Sequence, residues 1–121
     1  MKLRIQDNSI RVRLSIEELE ELKNRKETFM VSYLGPSPLT TRIIAVEDGS
    51  KVSFNGDEIR LFLTAKSISD LYNSDKEGIY LCHQVTDSIR VSLSIEKDYK
   101  CIGREDQLNE GLYPNPKEEY C

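Results

Sequence analysis

Residues 2–22 read KLRIQDNSIRVRLSIEELEEL, and residues 51–71 read KVSFNGDEIRLFLTAKSISDL. Both stretches alternate apolar and polar positions, break at a turn, alternate again and then change to helical spacing. In the first, Leu3, Ile5, Ile10, Val12 and Leu14 point one way and Lys2, Arg4, Arg11 and Arg13 the other. That period of two marks half-buried strands. Asp7-Asn8 tolerates positive φ and suits a two-residue hairpin turn. Ser15 with Glu18 three residues on forms a capping box that starts a helix, with Leu19 and Leu22 as its apolar stripe and Glu17, Glu20 and Glu21 on its wet side. In the second stretch, strands at 51–54 and 58–63 flank Asn55-Gly56, the strongest short hairpin signal. Thr64 caps a second helix through about Tyr72, with Ile68 and Leu71 inward.

The correspondence extends further. Shifted by 49 positions, residues 2–47 fall on 51–96 without a gap: Lys2 on Lys51, Ile10-Arg11 on Ile59-Arg60, Leu22 on Leu71 and Glu47 on Glu96. Strands are expected at 28–34 and 39–46, separated by Gly35-Pro36-Ser37-Pro38, and again at 79–85 and 89–96. Asp48-Gly49-Ser50 is the seam between the halves. A shorter similarity competes, because Ser9-Ile10-Arg11-Val12 recurs as Ser88-Ile89-Arg90-Val91, but no helix follows it. The longer alignment predicts an α+β, mostly antiparallel fold of about eight strands and two helices. Duplicated ββαββ units (halves 1–48 and 49–96) would form one domain as a barrel or a coiled sheet. Residues 97–121 have no counterpart. They carry Gly103, Gly111, Pro114-Asn115-Pro116 and six acidic residues, and read as an extended acidic tail that Leu108, Leu112 and Tyr113 could pin to the domain.

The totals bound the function. A chain of 121 residues is long enough to bury a core,. A net charge of -4 gives no general attraction to nucleic acid or anionic membranes,. No apolar run approaches a membrane span. An alternating charged strand follows Met1 directly, so no secretory leader is expected and the cytoplasm is the default compartment.

The sharpest chemical signal is the basic face of the first hairpin. With Asp7-Asn8 as the turn, Arg4 stands opposite Arg11 and Lys2 opposite Arg13. Like charges directly opposed across strands are destabilising, so the cluster calls for acidic neighbours or an anionic ligand, which arginine grips with paired hydrogen bonds. Arg60 and Arg90 could extend the face. The alternative is a solvated outer face, or one neutralised by the acidic tail. Cys82, His83, Cys101 and Cys121 have ligand types that zinc accepts, but alternation puts Cys82 and His83 on opposite faces of their strand, and His83 falls in phase with Leu81 and Val85 as a core histidine. A Cys101–Cys121 link would fasten the tail in an oxidising setting. There is no P-loop, G-x-G-x-x-G or G-x-S-x-G, so no cofactor, metal or catalytic residue is expected. Glu47 and Glu96, at the ends of equivalent strands, are the one carboxylate pair that could bind a metal.

Three resemblances add to this. The opening from Lys2 to Leu14, Glu96-Lys-Asp-Tyr-Lys-Cys101 and the closing Pro114-Asn-Pro116 to Cys121 resemble a small bacterial family of uncharacterised proteins. That resemblance implies a bacterial, cytosolic protein and makes Cys101 and Cys121 part of the family pattern. The element order is similar to the swapped-hairpin barrels of AbrB-type transition regulators, which bind DNA through basic residues, although Ser15 and Thr64 stand where those regulators carry proline. More distantly, the chain resembles the triphosphate tunnel enzymes, whose barrels are lined with Arg, Lys and Glu, but it lacks their E-x-E-x-K strand.

These readings favour a non-catalytic module that binds an anionic small molecule or an acidic protein segment through Arg4, Arg11 and Arg13, with Arg60 and Arg90 secondary. The alternatives are a phosphate ester or anhydride hydrolase that uses the same arginines with Glu47 and Glu96, and an AbrB-like DNA binder.

Overall fold

A computed structural model of the chain describes residues 1–99 and Tyr113. Strands β1 (Lys2–Gln6) and β2 (Ser9–Leu14) form the first hairpin, and Asp7 in its turn has φ of 50°. Helix α1 (Ile16–Arg25) follows. The Ser15 hydroxyl accepts from Glu18 N at 3.2 Å, and Glu18 Oε1 accepts from Ser15 N at 2.9 Å, completing the expected capping box. Strands β3 (Glu27–Ser32) and β4 (Leu39–Val46) close the first half. The second half repeats the order with β5 (Lys51–Phe54), β6 (Glu58–Thr64), α2 (Ala65–Tyr72), β7 (Gly78–Gln84) and β8 (Arg90–Lys97). Asn55-Gly56 turns the β5–β6 hairpin with Gly56 at φ 97°, where a side chain would be strained,. Among the described residues no helix is long and apolar enough to cross a membrane.

The strands assemble into two four-stranded sheets, ordered β1-β2-β8-β7 and β3-β4-β6-β5. Each sheet takes one hairpin from each half. Among the described residues four of the six strand pairings are antiparallel, but the central ones, β2 with β8 and β4 with β6, are parallel. The sheets are therefore mixed. Neither closes into the barrel that was one of the two expected forms: among the described residues, β1 and β7 edge one sheet and β3 and β5 the other. Parallel neighbours need a crossover, and here α1 and α2 carry the chain from one sheet to the other.

The helices pack on each other and against strands of both sheets. Leu19 and Leu22 of α1 and Ile68 and Leu71 of α2 are buried beside Ile10, Val12, Leu14, Leu93 and Ile95 of the first sheet and Ile43, Ile59, Leu61 and Leu63 of the second, in one continuous core. Burial of these aliphatic side chains is the main favourable term, at about 1.5–3 kcal/mol each.

Renaming β1–β4 as β5–β8 turns one sheet into the other, and the backbone bonds follow the same relation. Ser92 N donates to Asn8 O and Thr40 N to Asp57 O, both at 2.9 Å; Lys97 N donates to Glu77 O at 2.9 Å and Ala45 N to Lys26 O at 2.8 Å. The gap-free shift, however, ends with the helices. Leu14 and Leu63 are 49 positions apart, but their ladder partners Lys97 and Ala45 are 52 apart. Helix α2 has 8 residues to the 10 of α1, and a linker precedes β7 where Lys26 leads straight into β3. The counterpart of Glu96 is consequently Ile44, and Glu47 falls beyond the end of β4. The short competing similarity also resolves: β2 and β8 are ladder neighbours, with Ser9 beside Ser92.

Candidate functional site

Alternation along the first sheet sends Leu3, Ile10, Val12, Leu14, Leu93 and Ile95 inward and a polar set outward. The outer face carries two cross-sheet rows. In one, Arg4 pairs with Arg11, Arg11 with Ser94 and Ser94 with Tyr80; in the other, Lys2 pairs with Arg13, Arg13 with Glu96 and Glu96 with Gly78. The expected cluster of Arg4, Arg11 and Arg13 thus lies on one exposed surface.

One carboxylate organises that surface. Glu96 Oε1 accepts from Arg11 Nε at 2.7 Å, and Glu96 Oε2 accepts from the Tyr80 hydroxyl at 2.8 Å. Glu96 is only 15% exposed. Gly78 makes this arrangement possible, since a Cβ there would stand 2.6 Å from Ile95 O, 2.9 Å from Glu96 Cγ and 3.0 Å from the Tyr80 hydroxyl. The Tyr80 residue as a whole is 59% exposed, yet its hydroxyl lies folded over Gly78. Loss of water at that oxygen, together with the hydrogen bond and charge of Glu96, pushes the phenol up to about 12. Lys2 Nζ is held by the buried Asp98 at 2.7 Å. Among the described residues, Arg4 and Arg13 have no carboxylate within ion-pair distance. They are diagonal neighbours, with Cα atoms about 7–8 Å apart. Both residues are exposed, Arg4 beside Arg11 and Arg13 beside Glu96, so they flank the Arg11–Glu96–Tyr80 clasp.

The secondary residues divide. Arg90 opens β8 on the same outer face, four positions from the Arg11 row, or about 13 Å along the strand. There it donates to Gln84 Oε1 at 2.9 Å. Arg60 does not join the cluster, because it stands on the second sheet. Arg60 Nε contacts Glu58 Oε2 at 2.5 Å, Arg42 Nε contacts Glu58 Oε1 at 2.9 Å and an Arg42 terminal nitrogen contacts Glu27 at 2.7 Å. Arg42 first, then Arg60, holds the Glu58 carboxyl below the usual range. These two arginines are neutralised by their own neighbours.

Glu47 and Glu96, the possible metal pair, are not brought together: Glu96 is on β8 of the first sheet and committed to Arg11 and Tyr80, and Glu47 lies just past the end of β4 of the second. Among the described residues no three His, Cys, Asp or Glu side chains are grouped to hold a metal. Cys82 is exposed on the outer face of β7, and His83 is half-buried on the other. Cys101, Cys121 and the rest of the proposed tail lie outside the described residues, apart from Lys97 as the last residue of β8, Asp98, Tyr99 and Tyr113, which bridges to Tyr99.

Sequence reasoning missed Tyr80 and Gly78. A glycine at the head of a strand is a recognisable sign of close approach, whereas the contact of Tyr80 with Glu96 depends on a pairing that no local pattern encodes.

No curated protein and no solved structure matches the chain. A family model matches residues 1–117, and the chain belongs to that family, a family of unknown function (DUF7009).

Proposed function

We propose that the chain is a non-catalytic binding module whose outer first-sheet face takes an anionic partner, either a phosphorylated small molecule or an acidic protein segment. The supporting observation is that Arg4 and Arg13 flank the Arg11–Glu96–Tyr80 clasp without carboxylate partners among the described residues. The clasp fixes Arg11 and leaves Arg4 and Arg13 to make paired hydrogen bonds to a ligand's oxygens. In this reading residues 1–48 and 49–96 are two copies of one unit within a single domain, residues 97–121 are its appendage, and the protein works in the cytoplasm. Only the first copy carries arginine at positions 4 and 13; the second has Ser53 and Phe62. The frame is then shared, and the site belongs to one hairpin.

The test is calorimetric titration with inorganic triphosphate and with an octa-glutamate peptide, at low and at 300 mM salt. At least one should bind saturably, weaken with salt and lose tenfold or more in affinity in the Arg4→Gln/Arg13→Gln double variant, whose melting should stay that of the parent. Equal binding by parent and double variant refutes the reading. Divalent-dependent release of phosphate from triphosphate would replace it with the hydrolase.

A further inference from the structure

Among the described residues β1 is an edge of the first sheet. The bonds of its neighbour show which backbone groups of β1 are free. Ser92 N donates to Asn8 O and Asp98 N to Leu14 O, both at 2.9 Å. The even-numbered residues of β2 thus turn their backbone toward β8, and Ser9, Arg11 and Arg13 turn theirs toward β1. Their partners Gln6, Arg4 and Lys2 bond to β2 in return. Backbone bonding alternates along an antiparallel pair, so the N–H and C=O groups of Leu3 and Ile5 point to the open edge.

The side chains along this edge are equally specific. Ile5 pairs with Ile10 on the core face of the sheet, yet it is 55% exposed, at the hairpin end remote from the helices. Leu3 beside it is half-buried. On the outer face Lys2 is turned to Asp98, and Arg4 has no carboxylate partner among the described residues. The equivalent edge of the second sheet is β5, where Lys51, Val52, Ser53 and Phe54 stand in the places of Lys2, Leu3, Arg4 and Ile5. Phe54 is 65% exposed, so the apolar margin is shared. The charge is not. Ser53 replaces Arg4, Phe62 replaces Arg13, and Lys51 Nζ lies 4.9 Å from the centre of the Phe62 ring. An open edge is a template for another strand, and side-chain charge selects which. A second copy of β1 would set Lys2 and Arg4 against their own kind, which is destabilising. A segment with carboxylates at alternate positions meets the opposite charge.

We infer that β1 takes an extended protein segment as a fifth strand of the first sheet, one whose acidic residues alternate with apolar ones. The inference rests on the anion-binding reading above and chooses the acidic segment from its two partners. In an antiparallel addition the segment's apolar residues exchange backbone bonds with Leu3 and Ile5 and cover Ile5. Its acidic residues stand opposite Lys2 and Arg4, in the pairs where side chains approach most closely. One carboxylate meets Arg4 directly. The other reaches Arg13 across Lys2, two strand spacings or about 10 Å away. Backbone bonds supply affinity in such strand addition and the alternate side chains supply specificity.

The probe is a blocked peptide of four Glu-Val repeats, titrated into the ¹⁵N-labelled full chain. It should bind saturably and slow hydrogen exchange at the Leu3 and Ile5 amides at least tenfold. N-methylation of its valines, whose N–H groups would face β1, should abolish binding. N-methylation of its glutamates, whose N–H groups would face solvent, should leave affinity within threefold. Equal loss by the two methylated peptides, unchanged exchange at Leu3 and Ile5, or slow exchange there before any peptide is added would each overturn the inference. Triphosphate binding that depends on Arg4 and Arg13, with no binding of the peptide, would keep the anion-binding face and remove the added strand. Binding of every anion unaffected by Arg4→Gln/Arg13→Gln would remove both.

Discussion

Replacing Gly78 with alanine tests the construction of the outer face of the first sheet at its tightest point. Gly78 has no positive φ, so the substitution should act through space and not through backbone strain. The new methyl would sit 2.6 Å from Ile95 O, a backbone atom of the neighbouring central strand, and 2.9 Å from Glu96 Cγ. The carbonyl cannot rotate away without disturbing the β7–β8 ladder, so β7 must shift by several tenths of an ångström. Overpacking of this kind costs about 1–3 kcal/mol, or a fall in melting temperature of roughly 4–12 °C for a domain of this size. The substitution should also part the Tyr80 hydroxyl from Glu96, letting the phenol fall from about 12 toward its ordinary value of 10.0. Urea unfolding reads the first effect, and difference absorbance of tyrosinate between pH 9 and 13 reads the second. Unchanged stability together with an unchanged Tyr80 titration would refute the argument that Gly78 is required by the clasp.

Thr41 is fully buried on β4, and its hydroxyl has no hydrogen-bond partner among the described residues. Thr41→Val keeps the shape and removes the unpaired group, so it should stabilise by about 1 kcal/mol in urea unfolding; a loss of stability would show that the hydroxyl is satisfied. Lys97 is a buried residue whose Nζ donates to Ser74 O at 2.8 Å; desolvation lowers its pKa below 10.5, partly opposed by Asp75. The unfolded chain then binds the proton that the folded one has lost, and stability must rise with pH up to 10.5. Parent stability relative to Lys97→Met should therefore climb between pH 8 and 10.5, and a flat difference would show a hydrated ammonium. Tyr80 has the opposite sign. Its raised phenol pKa contributes stability that is complete below pH 10 and lost as pH rises through about 12, so Tyr80→Phe should unfold less readily than the parent at pH 11–12 when each is compared with itself at pH 8.

What the sequence discloses follows from how local each cause is. The first hairpin and the two N-caps depend on residues within a few positions of one another, and β1, β2, α1, β4, β5 and α2 form at or very near their expected bounds. The pairing of β2 with β8 joins residues more than 80 positions apart. Nothing in either strand distinguishes a parallel neighbour from an antiparallel one, and a barrel was as consistent with the alternation as two open sheets. The shift from 49 to 52 is of the same kind. A slightly longer linker before β7 moves Glu96 from the partner of Glu47 to the clasp with Arg11 and Tyr80. The clustering of Arg4, Arg11 and Arg13 was legible because one hairpin supplies all three; the exclusion of Arg60 was not, because it follows from which sheet its hairpin joins.

The exchange of hairpins between the halves also sets a timetable for synthesis. When the ribosome has made the first half, β2 and β4 are complete, yet the strands that pair with their free edges, β8 and β6, are still unmade. At about 5–20 residues per second, the roughly 50 residues from β4 to β8 take about 3–10 s. For that interval β2, destined for the centre of a sheet, presents a bare edge, and β4 does so until β6 has been made. In a polysome, the nearest β6 or β8 can belong to the chain ahead. Crowded translation should therefore yield intertwined dimers, and slower initiation should suppress them.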